Sequence, residues 1–234
     1  MKVSSNPGRM AGLLYLCLLG APLRLIYIPK NLIIPGDAAA TASNIAAHEM
    51  LFRLGIFFDL VTATMSIFLL LALYRLFKGI DKELAVLMVI LGAFMVTPIY
   101  FLNTLNDVAA LMFARGANFL AAFEKPHRDA LTMLFLQLHD HGVLINEVFW
   151  GLWLFPLGLL AYRSRFIPRF IGVWLMANCL AYLAMSFTGI LLPAYQNIVG
   201  MAVFPFTFGE LVLILWLIVK GARPPLIGNV VTTV

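Results

Sequence analysis

The densest polar stretch in an otherwise apolar chain is Gln137-Leu-His-Asp-His-Gly142, with Asn146 and Glu147 close behind. Asp140 and Glu147 are seven residues apart, so on a helix they share a face, and His139 and Asn146 form the ridge beside it. A histidine and carboxylates on adjoining ridges can exchange protons, hold a polar ligand or contribute to a cation site. Further ionisable residues stand inside apolar runs at Arg24, Asp59 and Glu210, and polar ones at Asn103 and Asn178, with Asn106 and Asp107 just beyond the end of the third run. A charge in hydrocarbon is costly, so each of these marks either a site or a partner close by.

Metal ligation needs three or four converging groups, and His139 and His141 point two ways around a helix. The residues therefore predict no metal centre. If one forms, its histidines are His139 and His48, the latter in a connection outside the apolar runs. No nucleophile elbow, paired-histidine zinc motif or phosphate loop occurs, and nothing in the sequence identifies a cofactor. Cys17 and Cys179 each lie inside an apolar run, which argues against a disulfide framework.

The elements that must position these groups are membrane helices. The chain has 234 residues, 62% hydrophobic and 12% charged, which is far more apolar than a water-soluble fold. Six apolar segments emerge at 10–28, 51–77, 84–105, 129–161, 170–192 and 200–220. The expected fold is all-α, a polytopic bundle of six transmembrane helices over 10–221. It is flanked by cytoplasmic tails at 1–9 and 222–234. The start of the chain resembles a signal peptide, but the apolar run contains Arg24 and no small-x-small cleavage site follows it, so it is kept as the first helix.

The net charge of +5 reports topology rather than nucleic-acid binding, because the basic residues form short clusters between apolar runs and no basic stripe. Lys2, Arg9, Arg75, Lys78, Lys82, Arg163, Arg165, Arg169, Lys220 and Arg223 fall on one side; Lys30, Arg53, Arg115, Lys125 and Arg128 fall on the other. Positive loops stay in the cytoplasm, so both termini are expected there, in a multi-pass protein of a bacterial inner membrane.

The outer connections, 29–50 and 106–128, are too long for simple turns. Asp37 follows Pro35 and Gly36 as an N-cap for a short helix over Ala38 to Ala47. Asp107 to Ala114 can prolong the third helix, and Pro126 can start a long fourth one. Together these predict a small outer cap of short helices.

Heights along the bundle follow from the helical rise. Measured from the cytoplasmic ends, Arg24 stands at about 21 Å, Glu147 at about 22 Å, Glu210 at about 15 Å, Asp59 at about 27 Å and Asn103 at about 28 Å. Arg24 and Glu147 share a layer on different helices, so an ion pair between them is expected. Glu210, with phenylalanines on one side and leucines on the other, is the candidate for a proton-titrating group.

The stretches Gly36-Asp-Ala-Ala-Ala-Thr-Ala-Ser-Asn-Ile45, His48-Glu-Met-Leu-Phe-Arg-Leu-Gly55, Ala72-Leu-Tyr-Arg-Leu-Phe-Lys78, Phe149-Trp-Gly-Leu-Trp-Leu-Phe-Pro-Leu-Gly158 and Tyr162-Arg-Ser resemble a family. It is the bacterial membrane-protein family catalogued as domain of unknown function 4386. The resemblance spans nearly the whole chain. It implies one integral membrane unit that begins with the first helix, and it brings no activity or cofactor. His139, Gly142 and Glu147 look like the family pattern and His141 departs from it, which favours His139.

The leading expectation is an outward-opening polar pocket lined by Arg24, Asn103, Asn106, Asp107, His139 and Glu147. It would bind or transport a small anionic or lipid-like ligand within the bilayer. A membrane enzyme using His139 and Glu147 as acid and base, or as metal ligands, is the alternative, with a cap residue such as His48 as partner. A non-catalytic structural subunit is the second alternative.

Overall fold

The computed structural model describes residues 6–20 and 23–223 and, among them, contains helices and no strand. The tails expected at 1–9 and 222–234 are described only at 6–9 and 222–223. The helices are α1 (Pro7–Leu16), α2 (Ile28–Leu32), α3 (Ala38–Ala47), α4 (Glu49–Phe77), α5 (Lys82–Val89), α6 (Val96–Arg115), α7 (Lys125–Ser164), α8 (Arg169–Leu191) and α9 (Gln196–Val219). A π-turn, Ile90–Met95, joins α5 and α6 into one rod. Pro98 lies just beyond it and has no N–H to donate to the carbonyl four residues back, a lapse that a π-turn helps to absorb.

Among the described residues, five stretches are long and apolar enough to cross a membrane: Glu49–Phe77, Lys82–Arg115, Lys125–Ser164, Arg169–Leu191 and Pro193–Val219. The expected continuous helix over 10–28 does not form. α1 ends at Leu16, a 3-10 turn follows at Cys17–Gly20, and Arg24 sits in a π-turn at Leu23–Tyr27 ahead of α2. Pro29, inside the short α2, again lacks the N–H that an uninterrupted helix would use.

Neighbours in sequence are neighbours in space, and the ring they form is closed. α1 packs on α4, α4 on α6, α6 on α7, α7 on α8, α8 on α9, and α9 returns to α1. The closure is held by backbone as well as side chains. Gly8 N donates to Ala222 O at 3.0 Å, and the Asn6 side chain caps α1 while accepting from Ala222 N at 3.0 Å. α7 and α8 approach most closely where Gly158 faces Gly172. A β-carbon on either glycine would run into the other's carbonyl oxygen, the small-residue contact that lets membrane helices pack without a hydrophobic drive.

The apolar interior falls into two main parts. One fills the ring between α1, α4, α7, α8 and α9, with Leu73, Phe77, Leu154, Leu157, Ile171 and Leu213 among its buried members. The other gathers Ile28, Leu32, Ile45, Phe52, Leu111 and Leu136, seating α2 and α3 against α4, α6 and α7. Outside, α4 exposes Leu54, Phe57, Leu60, Phe68 and Leu71, and α8 exposes Phe170, Val173, Leu180 and Phe187. Apolar faces this extensive are stable against lipid and not against water. α3 forms as expected, with Asp37 Oδ1 accepting from Ala40 N at 2.9 Å.

Candidate functional site

Two polar centres lie inside the ring. In the first, the Arg24 guanidinium grips Asp107 of α6, Nε to Oδ2 at 2.7 Å and Nη2 to Oδ1 at 2.5 Å. The expected pair with Glu147 does not form. Arg24 stands level with Asp107 and His139, two turns of α7 away from Glu147, because its segment runs through a 3-10 turn and a π-turn and does not keep the regular helical rise on which the expected height rested. Glu147 is buried with Oε2 lacking a hydrogen-bond partner.

His139 of α7 brings Nδ1 to 3.2 Å from Asp107 Oδ2, yet neither ring nitrogen has a partner in hydrogen-bonding geometry. Asp59 of α4 completes the group, its Oδ1 also unpartnered. Arg24 is 1% exposed, Asp59 1%, Asp107 0% and His139 2%, so all four are cut off from bulk water. The Phe52 ring covers the guanidinium, its centroid 5.8 Å from Cζ.

Asn103, one turn before Asp107, donates from Nδ2 to His139 O at 3.0 Å and accepts from Asn106 at 3.4 Å. Gly142 makes that reach possible, since a β-carbon there would occupy the place of the Asn103 amide. Of the expected residues, Arg24, Asp107 and His139 meet in a closed ionic cluster; Asn103 is tied to it through the His139 backbone, and Asn106 reaches only Asn103. Glu147 stands two turns further along α7, about 12 Å from His139 along the axis, which separates the expected acid and base. His48 is exposed, its Nδ1 beside Asn44 O at 3.0 Å, and takes no part in the cluster.

The second centre is a cavity of about 290 Å³ at the axis of the ring, bordered by every member of it. Tyr15 comes from the first segment, Thr62 and Ser66 from α4, Tyr100 from α6, Trp150 and Trp153 from α7, Tyr182 from α8 and Glu210 from α9. The aromatic rings form two groups, Tyr100, Trp150 and Tyr182 with successive centroids 5.9 and 6.0 Å apart, and Tyr15 with Trp153 at 5.9 Å. Glu210 bonds no backbone carbonyl. It accepts from the Tyr15 hydroxyl, from Tyr182 Oη at 3.2 Å and from Asn178 Nδ2 at 3.3 Å. Three donors converge on one carboxyl group, and among the described residues no Lys, Arg or His lines the cavity.

The two centres join along one seam. Asp59, Thr62 and Ser66 succeed one another on the inner face of α4, and Thr97, Tyr100, Asn103 and Asp107 do so on α6. Reasoning from sequence passed over Asp59 as a site residue and did not single out the tyrosines. Asp59 carried the same signal as Arg24, an ionisable group deep in a span. Separate from both centres, a groove of about 560 Å³ runs between α4 and α6 beside Arg53 and Arg115. Both arginines are bound to Glu49, at 2.6 and 2.9 Å.

A family model described as Domain of unknown function (DUF4386) matches residues 10–221. A protein of Archaeoglobus fulgidus described as "Uncharacterized protein" is 27% identical over 122 residues, 49% of this chain and 68% of that relative. No solved structure matches the chain.

Proposed function

The chain belongs to the family described as Domain of unknown function (DUF4386), whose description carries no activity, and from the geometry we propose a six-crossing membrane protein that binds a small cationic, largely apolar ligand at its axis. The observation that carries this reading is the aromatic cavity around Glu210. A single carboxylate faces a ring of tyrosines and tryptophans with no opposing cation, and such walls attract alkylammonium groups through the negative faces of the rings. The volume, near the lower end for ligand pockets, suits a small molecule. Leu211, exposed on the outside of the bundle, also borders the cavity, which favours access from the lipid side.

An anionic ligand rested on Arg24, and that guanidinium is already satisfied by Asp107. Six crossings are favoured because the first segment occupies a full position in the ring and supplies Tyr15 to the cavity. With positive loops retained inside, both termini lie in the cytoplasm of a cytoplasmic-membrane protein, and α2, α3 and the 117–123 connection form an outer cap. The bilayer is its partner, and the α4–α6 groove is a seat for lipid.

Titration of the purified protein with benzyltrimethylammonium tests the ligand class. Saturable binding is expected, weakened about tenfold or more by Glu210→Gln and by Trp150→Ala, a loss of about 1.4 kcal/mol for each tenfold. Binding that is absent, or equal in Glu210→Gln, overturns the reading. Uptake of the same ion into proteoliposomes then separates a carrier from a receptor.

A further inference from the structure

In the ionic cluster Arg24 donates to both oxygens of Asp107, while both ring nitrogens of His139 and one oxygen of Asp59 make no hydrogen bond. An oxygen of Asp59, an oxygen of Asp107 and a ring nitrogen of His139 all lie within 4.8 Å of one another, contributed by α4, α6 and α7. The contact of 3.2 Å between His139 Nδ1 and Asp107 Oδ2 is not directed as a hydrogen bond. It matches the spacing of two ligands on one small ion, about 3.3 Å when each bond is about 2.0–2.1 Å. Both nitrogens of His139 and Oδ1 of Asp59 are buried without partners, and unpaired buried polar atoms are costly unless something else fills their valence. We propose that Asp59, Asp107 and His139 form a binding site for one divalent first-row transition-metal ion, such as Zn²⁺ or Mn²⁺.

The surroundings support a cation there. With the imidazole neutral, Arg24 offsets one of the two carboxylates and leaves the other uncompensated in a dry interior. A divalent ion supplies that charge and one more. The surplus calls for an anion, hydroxide being the simplest, at the coordination position that three protein ligands leave open. Arg24 then acts as the outer support of the site. Its two hydrogen bonds fix the Asp107 carboxylate, as ligating carboxylates usually require. Asn103 pins the α7 backbone at His139 itself. The donor set of one imidazole and two carboxylates favours Zn²⁺, Mn²⁺, Fe²⁺ or Co²⁺ over Cu⁺, which prefers sulfur. Asp107 lies eight residues from the end of α6 and Asp59 ten from the start of α4. The site is thus about 12–15 Å below the helix ends on one side, with the exposed Asp140 beside it.

The experiment is metal analysis of the full-length protein in detergent, loaded separately with Zn²⁺, Mn²⁺ and Co²⁺ and then dialysed. About one equivalent per chain is expected for at least one of these ions, falling to background in His139→Ala and Asp59→Asn and unchanged in His48→Ala and Glu210→Gln. Co²⁺ loaded into the wild type should also show visible ligand-field absorption, a readout that needs no variant to fold. A wild type that holds none of the three ions, or binding that survives both His139→Ala and Asp59→Asn, overturns the site. Because Glu210→Gln leaves the metal in place but weakens ammonium binding, failure of this proposal and failure of the cavity reading are told apart.

Discussion

Arg24 heads the fully buried side chains by size, and its partner accounts for its tolerance of that position. A lone guanidinium in a dry interior would cost several kcal/mol, whereas a two-bond clasp on Asp107 returns much of that cost. Removing one member strands the other. Arg24→Met or Asp107→Leu alone is therefore expected to lower unfolding stability by about 3–5 kcal/mol, and the double substitution to recover most of it. Thermal melts of the four proteins in the same detergent measure this, and single variants that melt like the wild type would refute it. The importance of Arg24 and His139 was legible in the sequence, because ionisable residues inside apolar runs are conspicuous, whereas Asp107 was expected just beyond the third run. Their pairing was not. Helical rise gives the height of a side chain only while the helix is regular, which the Arg24 segment is not, and it never gives the direction the side chain faces once helices are packed.

At the scale of elements, the contact between α7 and α8 depends on two glycines whose backbones touch. Gly158→Leu should wedge the pair apart and destabilise the protein by at least the cost of an overpacked core, about 1–3 kcal/mol. Gly200→Ala in α9 is the matched control. A β-carbon there meets nothing within 4 Å, so helix propensity alone should leave it neutral or raise stability by up to about 1 kcal/mol. Equal melting shifts for the two would remove the packing argument. The long α7 could be foreseen from Pro126 near its start, and it runs 40 residues, from Lys125 to Ser164. The break in the first segment was harder to foresee. Its hydropathy is continuous, and whether a proline kinks a helix or ends it depends on what else can satisfy the freed carbonyls.

At the scale of the whole molecule, the ring is closed where the two ends of the described chain meet, Asn6 and Gly8 against Ala222. Alternating passes around it put the 78–81 turn on that same side and the 117–123 connection opposite. The predicted cytoplasmic placement of the ends can be read with single cysteines in a background lacking Cys17 and Cys179. A membrane-impermeant maleimide should label Ala121→Cys in intact cells and Gly79→Cys only after lysis. The reverse pattern would invert the orientation. Labelling of both in intact cells would mean that the two loops do not lie on opposite sides.

The sequence by itself determined that the chain is helical and built for lipid, where its long apolar segments run and which connections between them hold the basic residues. These follow from hydropathy, helical rise and loop charge, all local properties of a chain in a bilayer. Only the tertiary structure decided that Arg24 binds Asp107, that Asp59 joins His139, and that five aromatic rings from four segments line one cavity with Glu210. Those facts depend on how each helix is rotated about its axis and which neighbours it takes. Both are set by the packing of all the segments at once, Gly158 against Gly172 and Gly8 against Ala222 among them.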